Sequence, residues 1–240
     1  MSTTAVQTIS VLGRGNVNAF VLTGDRAVLV DAGVPGSGPK IMAALADYGL
    51  GPAEVSAIVV THGHIDHFGS AAYLRQELDA PILAHRDDVR AYVSGRSLAD
   101  TLRPTGLFGR LFAKLPPIHE STQPFTPDII LDGPMSLRSF GVAAQILVTP
   151  GHTPGSLSVL TAGGELIAAD MIAGSFLGTI TRRPANPPFH HDRLLNLASL
   201  EAALAHDPVA VYVGHGGPLA PDRVRRWATR ERRRLGPHRR

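Results

Sequence analysis

The sequence predicts an α+β fold in which β-sheets pack against each other and helices cover them. Short runs rich in β-branched residues dominate the first third of the chain, and strand-like segments follow one another directly after Pro127. Apolar residues at helical spacing lie between these groups and return near the end of the chain. Many strands in succession, together with helices, favour packed sheets with helical outer layers.

Each element follows from these local patterns. The stretch after Gly38-Pro39 has helical spacing, and Gly49 is suited to end that helix. Further helices are expected at about 66–78, 192–204 and 221–234. The predicted strands are 6–11, 19–22, 27–30, 55–61, 81–84, 129–131, 135–140, 143–148, 156–161, 165–169 and 210–213.

Length and composition indicate a single globular domain over residues 1–240. Of the 240 residues, 44% are hydrophobic and 18% are charged, so a sizeable core can form. No apolar run approaches the roughly 20 residues that span a membrane, and we expect a soluble, cytoplasmic protein. The chain has no cysteine, and any metal must therefore be held by His, Asp or Glu.

Two segments stand apart from this plan. Residues 94–127 form a long connection with apolar residues at helical spacing, which predicts a helical insertion that joins the core or forms a lid or homodimer contact.

Nine arginines lie in the last eighteen positions, which carry a net charge of +8, while the rest of the chain carries −5. Residues 230–240 are expected to form a solvated basic tail, and a nucleic-acid partner is not expected.

The most informative segment is the run THGHIDH at residues 61–67. The residues before it form a predicted buried strand, so His62 and His64, two positions apart, leave the strand end on the same side. These two imidazoles can share one ion. Asp66 and His67 follow after the chain has turned into a helix, and they can hold a second ion.

Three further candidate ligands follow apolar strands. His152 lies in the run PGHTPGS, Asp170 ends the run LIAAD, and His215 lies in the run GHGG. Asp31 follows another apolar strand. Because the carboxyl ends of strands gather at one edge of a sheet structure, these side chains can converge. Imidazole and carboxylate ligands suit Zn²⁺, Mn²⁺ or Fe²⁺.

The combination of HxHxDH, GHTPGS, a strand-end Asp and a late GHG resembles the metallo-β-lactamase-fold hydrolases, the superfamily that includes glyoxalase II. This resemblance implies a four-layer αββα sandwich with two divalent ions, most often zinc, at one edge. Asp31 resembles the family's carboxylate that orients ligand residues without binding metal. The implied ligands are His62, His64 and His152 for the first ion, Asp66, His67 and His215 for the second, and Asp170 as the bridge.

The resemblance also implies the chemistry. A hydroxide that bridges the two ions would attack a thioester, ester or lactone, with Asp66 as the catalytic residue that orients it. Arg182, Arg183 and His190 are candidate contacts to an anionic small-molecule substrate, although a solvated arginine pair and a helix-entry segment also explain them.

Other members of the superfamily leave alternatives open. Persulfide dioxygenases use one Fe²⁺ at the equivalents of His62, His152 and Asp170, and all three are present. Nucleases with this metal motif are a third candidate, suggested by the arginine-rich end of the chain. Quorum-sensing lactonases resemble the chain less closely after Asp170, because Ala173 stands where they have tyrosine.

Overall fold

The computed structural model describes residues 4–13, 15–174 and 183–236. Two sheets pack face to face, and helices cover the outer face of each sheet. The layers follow in the order αββα, which confirms the predicted fold class. No helix within the described residues is both long and apolar enough to cross a membrane.

The first sheet contains six strands within the described part of the chain. They are β1 (Ala5–Leu12), β2 (Val17–Thr23), β3 (Ala27–Val30), β4 (Val55–Val59), β5 (Ile82–His85) and β6 (Ile129–Leu131). The strands lie side by side in chain order, and β1 to β3 are antiparallel neighbours. Strands β3 to β6 run parallel, so their carboxyl ends share one edge of the sheet.

The second sheet contains five strands among the described residues. They are β7 (Met135–Ser136), β8 (Ala144–Val148), β9 (Leu157–Thr161), β10 (Glu165–Ala169) and β11 (Ala210–Val213). Strand β9 is antiparallel to both β8 and β10, while β10 and β11 are parallel. The carboxyl ends of β8, β10 and β11 therefore also share one edge.

The helices begin and end largely where the sequence signals predict. Gly49 follows the first helix with a φ of +75°, a conformation that glycine adopts without strain. The Asp192 carboxylate accepts hydrogen bonds from the backbone of Leu194 and Leu195, both at 2.9 Å, and so caps α6. The helices are α1 (Gly38–Asp47), α2 (Ile65–Phe68), α3 (Ala71–Leu78), α4 (Val89–Ser94), α5 (Leu107–Phe112), α6 (Arg193–Leu204) and α7 (Pro221–Leu235).

Apolar side chains fill the spaces between all four layers. Phe20 and Val59 of the first sheet meet Ile167 of the second sheet between the two sheets. Leu74 of α3 packs on the outer face of the first sheet, and Leu200 of α6 packs on the outer face of the second. Each fully buried side chain of this size contributes about 1.5–3 kcal/mol, so the strand ends rest on a rigid support.

Two predicted elements are interrupted in the structure. The helix expected at 66–78 is split into α2 and α3 around Gly69, whose N–H donates to the carbonyl of Gly33 at 2.8 Å. A Cβ on Gly69 would lie 2.4 Å from the Pro35 nitrogen, so this approach requires glycine. The strand expected at 135–140 ends at Ser136, because the chain turns into a short 3₁₀ helix at Arg138–Phe140.

The predicted basic tail at 230–240 is corrected by the course of α7. This helix continues to Leu235, and Glu231 is only 6% exposed. The Glu231 carboxylate pairs with Arg193 and accepts a hydrogen bond from Asn186 at 2.9 Å. Glu231, the one acidic residue among the arginines at the end of the chain, therefore anchors the end of the helix. Residues 237–240 lie outside the described residues.

The insertion at 94–127 carries its apolar stripe on the surface. Leu107, Leu111 and Leu115 are 74%, 57% and 62% exposed, so the expectation that the stripe joins the core is wrong. The other side of α5 packs closely, since a Cβ on Gly109 would lie 2.2 Å from the Pro188 carbonyl oxygen. A lid or a homodimer contact stays a prediction for the stripe.

Candidate metal centre

The strand ends bring the predicted ligands together at one edge of the sandwich. Among the described residues, three groups of side chains each have ligand atoms within 4.8 Å of one another. The groups are His62, His64 and His152; His62, His67 and Asp170; and Asp66, His67 and His215. The seven residues implied by the motifs therefore form one continuous cluster.

The first group consists of three buried imidazoles. The Nδ1 atom of His64 lies 2.9 Å from the Nε2 atom of His152, and the ring of His62 is centred 4.6 Å from that of His152. Burial lowers the pKa of His62 well below its usual value, and the neighbouring His67 and His152 lower it further. Burial also lowers the pKa of His64 and of His152, so the three rings are neutral at physiological pH, which is the form that binds metal.

The second group combines Asp66, His67 and His215. The Nε2 atom of His215 lies 3.4 Å from an Asp66 carboxylate oxygen, and the Nε2 atom of His67 lies 3.9 Å from it. Asp170 stands between the two groups. Its Oδ2 atom lies 3.1 Å from the Nε2 atom of His215 and 3.6 Å from that of His152.

The carboxylates in and around the second group favour the binding of a cation. Burial alone lowers the pKa of His67, but the carboxylates of Asp170 and Asp31 outweigh burial and raise that pKa to about 9. Burial raises the pKa of Asp170, yet His215 and His67 hold it well below its usual range. The carboxylates thus stay ionised, and the protons on the histidines occupy the place that a divalent ion would take.

Orphaned atoms support the same interpretation. Within the described part of the chain, the Nε2 atoms of His62 and His67 and the Oδ1 atom of Asp170 are buried without a hydrogen-bond partner. Leaving such atoms unpaired costs about 1–3 kcal/mol each. Three neutral nitrogens in one group, and two nitrogens with carboxylates in the other, form a donor set that fits divalent ions such as Zn²⁺.

Asp31 lies behind the ligands. It accepts hydrogen bonds from the Thr61 N–H at 2.8 Å, the Thr61 hydroxyl at 2.9 Å and the His67 Nδ1 at 2.8 Å. The Nε2 atom of His67 is thereby left to face Asp66 and Asp170. Asp31 contacts a candidate ligand and belongs to none of the three groups, which matches the orienting role that the resemblance implies.

Asp88 is a buried residue of the site that the sequence analysis missed. Its carboxylate accepts hydrogen bonds from the Gly63 N–H at 2.7 Å, the Thr153 hydroxyl at 2.6 Å and the Gly155 N–H at 2.9 Å. It thus ties the loop that carries His62 and His64 to the loop that carries His152. The signal was present, because Asp88 follows a parallel strand whose carboxyl end lies at the same edge.

The turn between β1 and β2 also reaches the site. The Nδ1 atom of His215 donates to the carbonyl of Asn16, and the Asn18 amide donates to the carbonyls of Val213 at 3.0 Å and Gly216 at 2.9 Å. No sequence signal links these asparagines to a turn about 200 residues away. Only the packing of the two sheets makes the connection.

Gly214 allows Asp170 and His67 to lie close to the end of β11. A Cβ at this position would lie 2.2 Å from the Oδ1 atom of Asp170 and 2.5 Å from the ring of His67. The first glycine of the GHGG run is therefore required by the close approach of β11 to two candidate ligands.

The three predicted substrate contacts have different outcomes. His190 is 1% exposed, and its Nδ1 atom lies 3.1 Å from the Nδ1 atom of His152. This placement favours a role in positioning His152 over contact with a substrate. Arg183 is exposed, and its backbone N–H donates to the carbonyl of Gly174 at 3.1 Å. Arg182 lies outside the described residues.

Comparisons with known proteins agree with the fold and the site. The model of the metallo-β-lactamase superfamily matches residues 12–215, and the chain belongs to this superfamily. The "Probable metallo-hydrolase YflN" of Bacillus subtilis (strain 168) is 30% identical over 232 residues, which cover 87% of this chain and 82% of the relative. The protein is accordingly a metallo-hydrolase of this superfamily.

Two further matches define how far the similarity extends. The hydroxyacylglutathione hydrolase of Anaeromyxobacter dehalogenans (strain 2CP-C) is 27% identical over 213 residues, or 82% of this chain and 68% of the relative. The crystal structure of the BLEG-1 B3 metallo-β-lactamase superposes with a TM-score of 0.67 at 23% identity, covering 91% of this chain and 95% of the other. At that identity the structural match shows the shared fold alone.

Proposed function

We propose that this metallo-hydrolase cleaves a thioester, ester or lactone at a site that holds two divalent ions, most often zinc. The position of Asp170 carries the proposal. One of its carboxylate oxygens lies 3.6 Å from His152 of the first group and 3.1 Å from His215 of the second, so a single carboxylate serves both groups. A single-ion site would leave Asp66, His67 and His215 without a common function.

The residues of the chain prepare the site for attack on a carbonyl. When bound, two divalent ions would activate a water molecule as the nucleophile and polarise the carbonyl of the substrate. The side chain of Asp66 is 33% exposed, whereas those of His67 and Asp170 are 0% and 5% exposed. Asp66 is thus the accessible carboxylate of the cluster, and His67 and His215 keep it ionised by holding its pKa low against the effect of burial. It is placed to orient the attacking water by accepting a hydrogen bond from it.

The charge of the complete site supports the substrate class. Two divalent ions exceed the charge of the Asp66 and Asp170 carboxylates, so the site favours a substrate whose carbonyl oxygen gains negative charge during the reaction. The similarity to a hydroxyacylglutathione hydrolase places a glutathione thioester among the first substrates to test.

The test combines metal analysis with a substrate panel. Protein purified without added metal is analysed for zinc, iron and manganese and then assayed with S-lactoylglutathione, simple esters, lactones, nitrocefin and glutathione persulfide. Two ions per chain and hydrolysis of a thioester, ester or lactone would support the proposal. One iron per chain with oxygen consumption on the persulfide would instead establish the dioxygenase alternative.

A variant pair tests the role of Asp66. Asp66→Asn should reduce turnover at least about 100-fold, because a neutral amide is a weaker ligand than a carboxylate and orients the attacking water less strongly. Asp132→Asn is the matched control, since the Asp132 side chain is 69% exposed, pairs with Arg86 and belongs to none of the three groups. Equal activity of the two variants would exclude Asp66 from the reaction.

A further inference from the structure

The insertion places a threonine directly behind a candidate metal ligand. Thr101 ends the 3₁₀ helix Ala99–Thr101 and is 2% exposed. Its Oγ1 atom lies 2.9 Å from the Nε2 atom of His64. The same hydroxyl donates to the carbonyl of Leu98 at 2.6 Å.

The hydrogen-bond inventory of threonine settles the direction of this contact. A hydroxyl has one hydrogen, and a carbonyl oxygen can only accept, so the hydrogen of Thr101 goes to Leu98. The contact to His64 must then run from the ring to the hydroxyl. His64 is therefore protonated at Nε2 and bare at Nδ1.

The bare nitrogen is the one that faces the other ligands. The Nδ1 atom of His64 lies 2.9 Å from the Nε2 atom of His152, inside the three-histidine group. A histidine binds metal through an unprotonated nitrogen, and the hydrogen bond made by its other nitrogen selects which one that is.

We propose that Thr101 is a positioning residue of the first metal site, which fixes His64 as the Nε2–H tautomer and aims Nδ1 at the ion. This inference rests on the proposed metal centre. It gives the insertion a defined function, because the other ligands are oriented from within the sandwich. Asp31 holds His67 from the end of β3, and the Asn16 carbonyl holds His215 from the β1–β2 turn.

The insertion is itself fastened near the site. The backbone N–H of His190 donates to the carbonyl of Arg103 at 3.0 Å, and the Thr105 hydroxyl donates to the carbonyl of Pro187 at 2.5 Å. These bonds join the insertion to the segment whose His190 contacts His152. Thr105 offers a matched control, because it is also a buried threonine of the insertion, but its hydroxyl bonds to the backbone carbonyls of Pro187 and Pro188 in place of a ligand histidine.

The test measures metal affinity and tautomer in the full chain. Zn²⁺ affinity is determined by chelator competition for the wild type, Thr101→Val, Thr101→Ser and Thr105→Val. Thr101→Val should weaken the binding of one ion by about 10- to 100-fold, while Thr101→Ser, which keeps the hydroxyl, should remain near the wild type. Thr105→Val should also remain near the wild type. Long-range ¹H–¹⁵N spectra of the metal-free protein should show His64 protonated at Nε2 and a mixture of tautomers in Thr101→Val.

Each outcome decides the proposal. It is overturned if Thr101→Val binds both ions as tightly as the wild type, or if Thr105→Val loses as much affinity as Thr101→Val. Failure of Thr101→Ser to preserve affinity would also overturn it. If the wild type binds two ions and hydrolyses its substrate, and Thr101→Val binds the ions equally tightly, this inference alone is contradicted. A wild type that binds no ion overturns the proposed metal centre together with this inference.

Discussion

At the candidate metal centre, histidines use one ring nitrogen to fix the direction of the other. The Nδ1 atom of His67 donates to Asp31, and the Nδ1 atom of His62 lies 3.0 Å from the Thr61 hydroxyl. The Nδ1 atom of His215 donates to a backbone carbonyl. Each contact leaves Nε2 directed towards the centre, so the ring orientations suited to metal binding exist before an ion arrives.

Replacing the shared carboxylate should weaken metal binding at the proposed two-ion site. Asp170→Asn keeps the shape of the side chain but removes the charge that faces His67, His152 and His215. We expect at least one ion to be lost, with turnover reduced at least about 100-fold, because an amide is a poor metal ligand. Metal content and turnover are measured on the same preparation. A variant with two ions and full activity would remove Asp170 from the bridging role.

Metal affinity should rise with pH through the neutral range. His67 has a pKa raised to about 9 in the metal-free protein, and its proton must leave before an ion binds. The Asp170 and Asp66 carboxylates likewise outweigh burial and raise the pKa of His215 well above its usual value, so two protons oppose binding. Affinity at the second group should therefore increase by about 10-fold or more per pH unit through the neutral range. The stability of the metal-free fold changes with pH in the opposite direction. The stabilisation from protonated His67 is complete below the unfolded pKa of about 6.5 and is lost as the pH rises through about 9.

This pH dependence is measured by calorimetric Zn²⁺ titration between pH 6 and 9 in buffers of different ionisation enthalpy, which reports the protons released. Thermal unfolding with and without metal provides the second readout. The stabilisation by metal should grow with pH across this range. An affinity that is constant from pH 6 to 9 would contradict the raised pKa of His67.

At the scale of elements, two loops from different sheets are joined by one carboxylate. Asp88→Ala would leave the Gly63 and Gly155 N–H groups and the Thr153 hydroxyl without their acceptor. We expect a loss of about 3 kcal/mol in the free energy of unfolding, and weaker metal binding as the loops separate. Asp87→Ala is the control, because that neighbouring side chain is 53% exposed. Denaturant titration of both variants gives the comparison, and equal stability would show that Asp88 does not join the loops.

The apolar stripe on α5 should contribute little to the stability of one chain. Leu107 and Leu111 are 74% and 57% exposed, so replacing both with serine should change the free energy of unfolding by less than about 1 kcal/mol. Leu74→Ala, at a position with 0% exposure, should cost about 2–5 kcal/mol. Denaturant unfolding and gel filtration test both points. A large loss in the serine variant at unchanged oligomeric state would mean that the stripe is core after all.

At the scale of the whole molecule, α7 closes the outer layer over the second sheet. Val224 and Ala228 are buried against that sheet, and Glu231 pairs with Arg193 at the start of α6. A chain that ends at Thr229 would lose Glu231 and leave Arg193 without this partner. The arginine-rich end of the helix is thus part of the packed structure.

Two truncations distinguish the contribution of α7 from that of the last four residues of the chain. Ending the chain at Thr229 should lower the free energy of unfolding by about 2–3 kcal/mol, since one partner of a largely buried ion pair is removed. Ending it after Gly236 should leave stability and metal content unchanged. Thermal unfolding of the two truncated proteins measures the difference. A fully stable chain ending at Thr229 would restore the view that the basic end is a solvated extension.

The sequence by itself determined the fold class and the seven candidate ligands. Their signals are local: each follows an apolar strand, and glycine and proline turns mark where the strand ends. The rule that strand ends share an edge was enough to predict that His62, His152 and Asp170 meet. The same rule applies to Asp88, which follows a parallel strand at the same edge, but the sequence analysis did not single it out.

Only the tertiary structure decided which groups stand behind those ligands. Thr101, Asn16 and His190 contact ligand histidines that are 37, 199 and 38 residues away in the chain. Their own neighbours in sequence show no pattern that differs from an ordinary turn or loop. The same holds for Glu231, whose burial depends on the docking of α6 against α7. Such contacts arise from the packing of layers, because sequence periodicity records which face of an element is buried but not which distant side chain it meets.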